Sequence, residues 1–193
     1  MFATCSNDVV IEDAFVPADR MVSIREMIGG TAEGSRLHTG ALYSTPMAPI
    51  LSMTAMLPVL GQAKACVAEY GRQLHQRYDL FKLEAQANKT GRQQRVAGAD
   101  LDIAAAEALA RSVLAEVLAQ RGDASEATRV RWAAAIAHVV HMCQAAIDVL
   151  CEAAGASSHF LDNPLQRARR DIHTMACHMV FDLDERYRCH GRA

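Results

Sequence analysis

The stretch NPLQRARRDIHTMACH, Asn163 to His178, places three arginines, two histidines and an aspartate on what reads as one helix. Within and just beyond it, Arg167, Asp171, Thr174, His178 and Asp182 follow one another at intervals of 4, 3, 4 and 4 residues. Such spacing lines side chains along one ridge of a helix. Asp171 can pair with Arg167 one turn back, and His178 with Asp182 one turn on or with Asp171 through Thr174. A histidine beside a carboxylate is a general base suited to neutral pH, because the negative charge raises imidazole basicity. The same intervals are those of an i,i+4 ion-pair stripe on a solvated face, and spacing alone favours that simpler reading.

Other chemistries find less support. Helical bundles hold di-iron centres through Glu-x-x-His pairs, and no glutamate of this chain has a histidine three residues on. His138 and His141 lie one turn apart with no obvious inward carboxylate, so no metal site is expected. No nucleophile-elbow sequence occurs, and Cys177 points to a different helix face from its neighbour His178. GGTAEGSR resembles a phosphate loop only loosely, since Arg36 stands where the Lys-Ser/Thr pair belongs and no clear strand precedes it.

The elements that must carry these residues are mostly helical. Residues 1–24 contain the β-branched run DVVIEDAFV and read as one strand and a second extended piece, an arm with nothing in this chain to pair with. Residues 25–49 read as a connecting loop. Four long helical patterns then fill residues 50–193. The first spans about Ile50 to Tyr78, with Met53, Leu57, Leu60, Val67 and Leu74 on one side. Pro58 predicts a kink or a later start in it. The second spans about Gln93 to Gln120. The third opens at a Ser125 cap and stops at Gly155. The fourth opens at Asp162 or Asn163, with Pro164 in its first turn, and runs to about Cys189. Its apolar stripe is Leu165, Ala168, Ile172, Met175, Met179 and Leu183. The predicted fold is all-α, an up-and-down four-helix bundle with a short N-terminal extended arm.

Composition sets the outer bounds. The chain has 193 residues, 51% hydrophobic and 22% charged, enough to build a sizeable core. A net charge of -2 gives no reason to expect nucleic acid or an anionic membrane as partner. No uninterrupted apolar run reaches the ~18 residues of a membrane span, and the N-terminus has no basic segment of a signal peptide. Six cysteines without a CxxC pair, mostly in apolar helical contexts, read as reduced buried thiols of a cytoplasmic protein.

With these residues in place, the sequence resembles a known family. NPLQRARRDIHTMACH is similar to the last-helix motif of the acyl-CoA dehydrogenase superfamily in its type 2 branch, which includes flavin-dependent monooxygenases. SNDVVIEDAFVPADR resembles the exit of that superfamily's β-domain, LPVLGQAKACVAEY its first bundle helix and QQRVAGADLDIAAAEALA its second. AAGASSHF stands where dehydrogenases carry a Gly-Gly-x-Gly loop near the flavin. The similarity covers nearly the whole chain in the right order. It implies a cofactor, reduced flavin as FMN or FAD, and a flavin reductase as partner. It further implies a small aromatic or heteroatom substrate and a homo-oligomer, dimer or tetramer, associating through the third and fourth helices. On the matching positions His178 would be catalytic, holding a hydrogen bond or deprotonating the substrate. Gln93, Gly155, Arg167 and Asp171 would serve the cofactor.

Departures from the family pattern shape the reading. Dehydrogenases take an α-proton with a glutamate at the positions of Met179 or Ser52, and neither residue is acidic here. The resemblance therefore points to the monooxygenase branch, with a CH–CH dehydrogenase or a non-catalytic helical oligomerisation module as alternatives. It also implies that an N-terminal helical domain and most of a β-domain are absent from this chain, so that flavin alone should bind it weakly.

Overall fold

The computed structural model describes residues 8–76, 78–79, 84–85 and 89–193. Its architecture follows from four apolar stripes that need burial. Two short helices, α1 (Ile24–Gly29) and α2 (Glu33–Leu37), precede the bundle. They replace the plain loop expected over residues 25–49. α1 forms because Ser23 caps it, accepting from the Glu26 amide, and Gly30 ends it in the left-handed conformation at φ 72°.

The bundle comprises α3 (Met47–Gln76), α4 (Thr90–Gln120), α5 (Glu126–Ala154) and α6 (Pro164–Ala176), followed by α7 (Leu183–His190). Between α3 and α4 the two-residue strands β1 (Tyr78–Asp79) and β2 (Glu84–Ala85) pair antiparallel. The expected connection over residues 79–92 otherwise falls largely outside the described residues, as does Cys5. Pro58 lies inside α3, which continues past it on both sides. With no N–H at Pro58, the Thr54 carbonyl lacks its usual helical donor.

Helix α5 is the shaft of the molecule, packing against α3, α4, α6 and α7. Trp132, Ile136, Val139, Val140, Cys143, Ile147 and Leu150 are all fully buried on it. Ser125 caps its start by accepting from Thr128, and Gly155 ends it at φ 70°, as the sequence predicts. This burial explains why α3 and the span Glu126–His159 reach the length and hydropathy of a membrane span: both supply the bundle core. Helix α4 is less one-sided, leaving Leu101, Leu114 and Leu118 exposed, and Leu114 shares a surface hollow with the exposed Leu57 of α3. Leu57 was expected in the core; Met56 and Val59 occupy it instead.

The arm differs from the expected strand. Val9, Val10, Ile11 and Phe15 are exposed in an irregular segment that joins no sheet among the described residues, and a 3-10 turn at Ala18–Arg20 ends it.

Candidate functional site

The fourth helical pattern is broken. α6 stops at Ala176, His178 adopts an extended backbone at φ -66° and ψ 136°, and a 3-10 turn covers Met179–Phe181 before α7 begins. The three-four apolar spacing runs through this break in sequence but not in space. Met179, expected on the core stripe, is 78% exposed, and Phe181 is fully buried in its stead.

The expected ridge is therefore split. Arg167 and Asp171 do pair, at 3.7 Å, on the exposed face of α6. Thr174, however, donates to the Arg170 carbonyl at 2.9 Å, and Asp182 accepts from the Glu185 amide to cap α7. Neither meets His178. The His178 side chain instead accepts at Nδ1 from the Val180 amide at 3.3 Å. A ring nitrogen that accepts from an amide carries no proton, so in the neutral imidazole the proton sits on Nε2. The residue is exposed and lines none of the cavities described below.

Two neighbours from other elements hold this turn. His141 on α5 donates from Nε2 to the Phe181 carbonyl at 3.1 Å, and Arg186 on α7 donates from Nε to the Val180 carbonyl at 3.1 Å. One turn away, His138 Nδ1 is hydrogen-bonded to the Tyr187 hydroxyl at 2.5 Å. The two histidines of α5 thus fasten the C-terminal segment. No metal-binding group of three or more ligands occurs among the described residues.

A second constellation lies at the C-terminal end of α5. The first turn of α4 and the end of α5 enclose a hollow of about 430 Å³, lined by Lys89, Gly91, Arg92, Arg95, Glu152, Ala153 and Gly155. Three cations face one carboxylate. Arg92 is one of them, and its Nη1 is buried without a hydrogen-bond partner, a costly state for a donor. The Lys89 side chain makes no capping bond at the start of this long helix, and a helix start favours an anion. Gly155, at φ 70° and ψ -160°, leaves open space where a side chain would project. The donor set fits a phosphate, such as that of a flavin nucleotide. Of the sequence-chosen cofactor residues, Gly155 borders this hollow. Gln93 shares the same first turn of α4 but is exposed and not part of the lining, and Arg167 and Asp171 lie outside it.

A third space of about 260 Å³ lies between α3 and α4, lined chiefly by Ile50, Met53, Leu57, Leu60, Ala110 and Leu114. Its charged members are already engaged, Glu107 with both Lys64 and Arg111. Ser52, near this space, donates to the Ala48 carbonyl.

Sequence reasoning missed one polar cluster altogether. Asp148 on α5 accepts from Arg169 at 2.6 Å and from His173 Nε2 at 3.0 Å, while Gln144 bonds His173 Nδ1 at 3.2 Å. The available signal was Asp148 standing alone in an apolar helix, with Arg169 and His173 one turn apart on its neighbour.

Comparison with known proteins follows the same lines. The family model described as acyl-CoA dehydrogenase, C-terminal domain, matches residues 53–183. The chain is 30% identical to the flavin-dependent monooxygenase, oxygenase subunit HsaA, of Rhodococcus jostii (strain RHA1), covering 97% of this chain and 50% of that protein. It is 26% identical to the FADH(2)-dependent resorcinol hydroxylase, oxygenase component, of Rhizobium sp. (strain MTP-10005), covering 94% of this chain and 47% of that one. The crystal structure of 3-HSA hydroxylase from Rhodococcus sp. RHA1 superposes with a TM-score of 0.83 at 26% identity, over 94% of this chain and 48% of that one. The chain spans about half the length of the curated relatives it matches.

Proposed function

Because the chain belongs to the acyl-CoA dehydrogenase C-terminal-domain family and is homologous to the C-terminal half of flavin monooxygenase oxygenase subunits, we propose that it is the helical part of a two-component monooxygenase. The partner is a flavin reductase, and the reaction is hydroxylation of a small aromatic or heteroatom substrate. When bound, reduced flavin supplies the electrons that activate dioxygen. This chain's residues contribute binding and orientation. Lys89, Arg92 and Arg95 take the flavin phosphate, and the Gly155 turn leaves room for the cofactor to approach the backbone. Gln93, Arg167 and Asp171 support the helix ends that face it.

His178 is the catalytic residue of this reading, offering an Nε2–H donor to the reacting groups. With the Val180 amide on Nδ1 and the proton on Nε2, the neutral ring donates rather than abstracts a proton. Since the imidazole is exposed in the single chain, its pocket needs completion by protein outside this chain, from the other half of a full-length oxygenase or from a second copy. Self-association is supported on the α3–α4 face, where Leu57, Leu114 and Leu118 are exposed, while on α5 Val149 is the large apolar residue left exposed.

The observation that carries the cofactor half is the basic hollow beside Gly155, lined by Lys89, Arg92 and Arg95. Fluorescence titration with FMN and with riboflavin, which lacks the phosphate, tests it. FMN should bind weakly but measurably more tightly than riboflavin, and Arg92→Ala should erase the difference. Equal affinities in the unaltered chain would overturn the assignment of the hollow.

A further inference from the structure

We infer that the 178–181 turn is a clamp that fixes the tautomer of His178, with His141 and Arg186 as its positioning residues. The inference rests on the reading of His178 as the catalytic histidine and adds what sets its working state. The His178 amide still donates to the Met175 carbonyl of α6 at 3.0 Å, but its own backbone is extended, so α6 places the residue without fixing its ring. Its ring is held by the amide of Val180 on Nδ1, and that bond exists only while the Val180–Phe181 backbone keeps its present course. The course is set from outside the turn. His141 ties the Phe181 carbonyl from α5, and Arg186 ties the Val180 carbonyl from α7. Phe181 anchors the same point by being fully buried, with its ring 6.0 Å from that of His178.

Two carbonyl bonds from different elements thus converge on consecutive peptide groups, and one of those residues supplies the amide that selects the imidazole tautomer. The amide of Phe181 also closes the turn on the His178 carbonyl at 2.8 Å. A backbone fixed on both sides keeps the Val180 N–H directed at Nδ1 and leaves Nε2–H as the outward donor. Released from the ties, the turn would let the ring sample both neutral tautomers, and the preference for an Nε2 proton would weaken towards that of a free imidazole side chain.

The test is a long-range nitrogen–proton correlation spectrum of the flavin-free chain, above the imidazole pKa. In the unaltered protein, His178 should show two well-separated nitrogen shifts, Nδ1 unprotonated and Nε2 protonated. In Arg186→Ala and in His141→Leu the two shifts should move towards their mean. His141→Gln, whose amide donor reaches the Nε2 position, should restore the separation. Far-UV ellipticity checks that each variant is folded, and Arg186→Ala, on the peripheral helix, stands alone if His141→Leu does not fold. Unchanged separation in a folded Arg186→Ala protein, or a proton on Nδ1 in the unaltered chain, would overturn the clamp. A collapsed separation in Arg186→Ala would sustain it, even if His178→Ala left hydroxylation by the full oxygenase intact. That second result would remove only the catalytic reading.

Discussion

Arg169 on α6 donates to the Asp148 carboxylate on α5 at 2.6 Å, and His173 reaches the same carboxylate one turn later. The Asp148 side chain is 28% exposed, so solvent screens the pair only partly. Asp148→Ala leaves both partners without their acceptor at a helix–helix seam, and the expected loss is about 1–2 kcal/mol of folding stability. Chemical denaturation of the variant measures it. Asp148→Asn, which keeps one acceptor oxygen, should recover part of the loss.

Glu116 joins α4 to α5 by accepting from Arg131 and, at 3.0 Å, from the indole of the fully buried Trp132. The Arg131 hydrogen bond and then that of Trp132 hold this carboxyl below its ordinary value of 4.5. A lowered folded pKa means stability that is complete above 4.5 and is lost as pH falls through the folded value. Glu185, held at about 2 chiefly by Arg188, behaves the same way over a window reaching further into acid. The melting temperature should therefore fall as pH is lowered below 4.5. In Glu116→Gln, which keeps an acceptor for the indole, that fall should be shallower. Parallel slopes in thermal melts of the two proteins would contradict the assignment.

Burial raises the thiol pKa of Cys66 to about 12, and those of Cys143 and Cys151 to about 11. Their thiolates are scarce at neutral pH and shielded from reagent. Cys177 is exposed beside the helix break. Among these four, iodoacetamide under native conditions should label Cys177 first, with the other three reacting only on unfolding. Mass spectrometry of peptides from native and denatured samples distinguishes the two classes.

Gly155 adopts φ 70° and ψ -160°, a region open almost only to glycine. Gly155→Ala would meet no neighbouring atom, so its cost is purely conformational, about 1–3 kcal/mol. Thermal melts should show it. If the hollow beside it holds a flavin phosphate, the FMN titration should weaken in the same variant.

The sequence made the bundle legible where local chemistry decides the outcome. Ser125 as a cap, Gly155 as a stop and Asn163-Pro164 as a start act within their own few residues of chain, and each occurs where expected. The break at His178 was hidden because Ile172, Met175, Met179 and Leu183 keep a helical apolar interval across it. The turn beyond the break is tied by His141 and Arg186, whose partners are backbone carbonyls with no sequence signature. The basic hollow was half visible. Gly155 and the first turn of α4 were singled out, but Arg92 was not, since an arginine near a helix start carries no mark of being buried.

Variation should be distributed unevenly over this molecule as a consequence of the central position of α5. Outside its exposed stripe of His138, Ala145, Val149 and Glu152, α5 packs against four other helices, so a larger or smaller residue on that buried side demands matching change in several neighbours at once. The outward flank of α4 has no such obligation within one copy. Random mutagenesis with selection for folded protein should leave the buried side of α5 nearly untouched while the outward flank of α4 drifts. If α4 is also silent, something outside the chain is reading that flank.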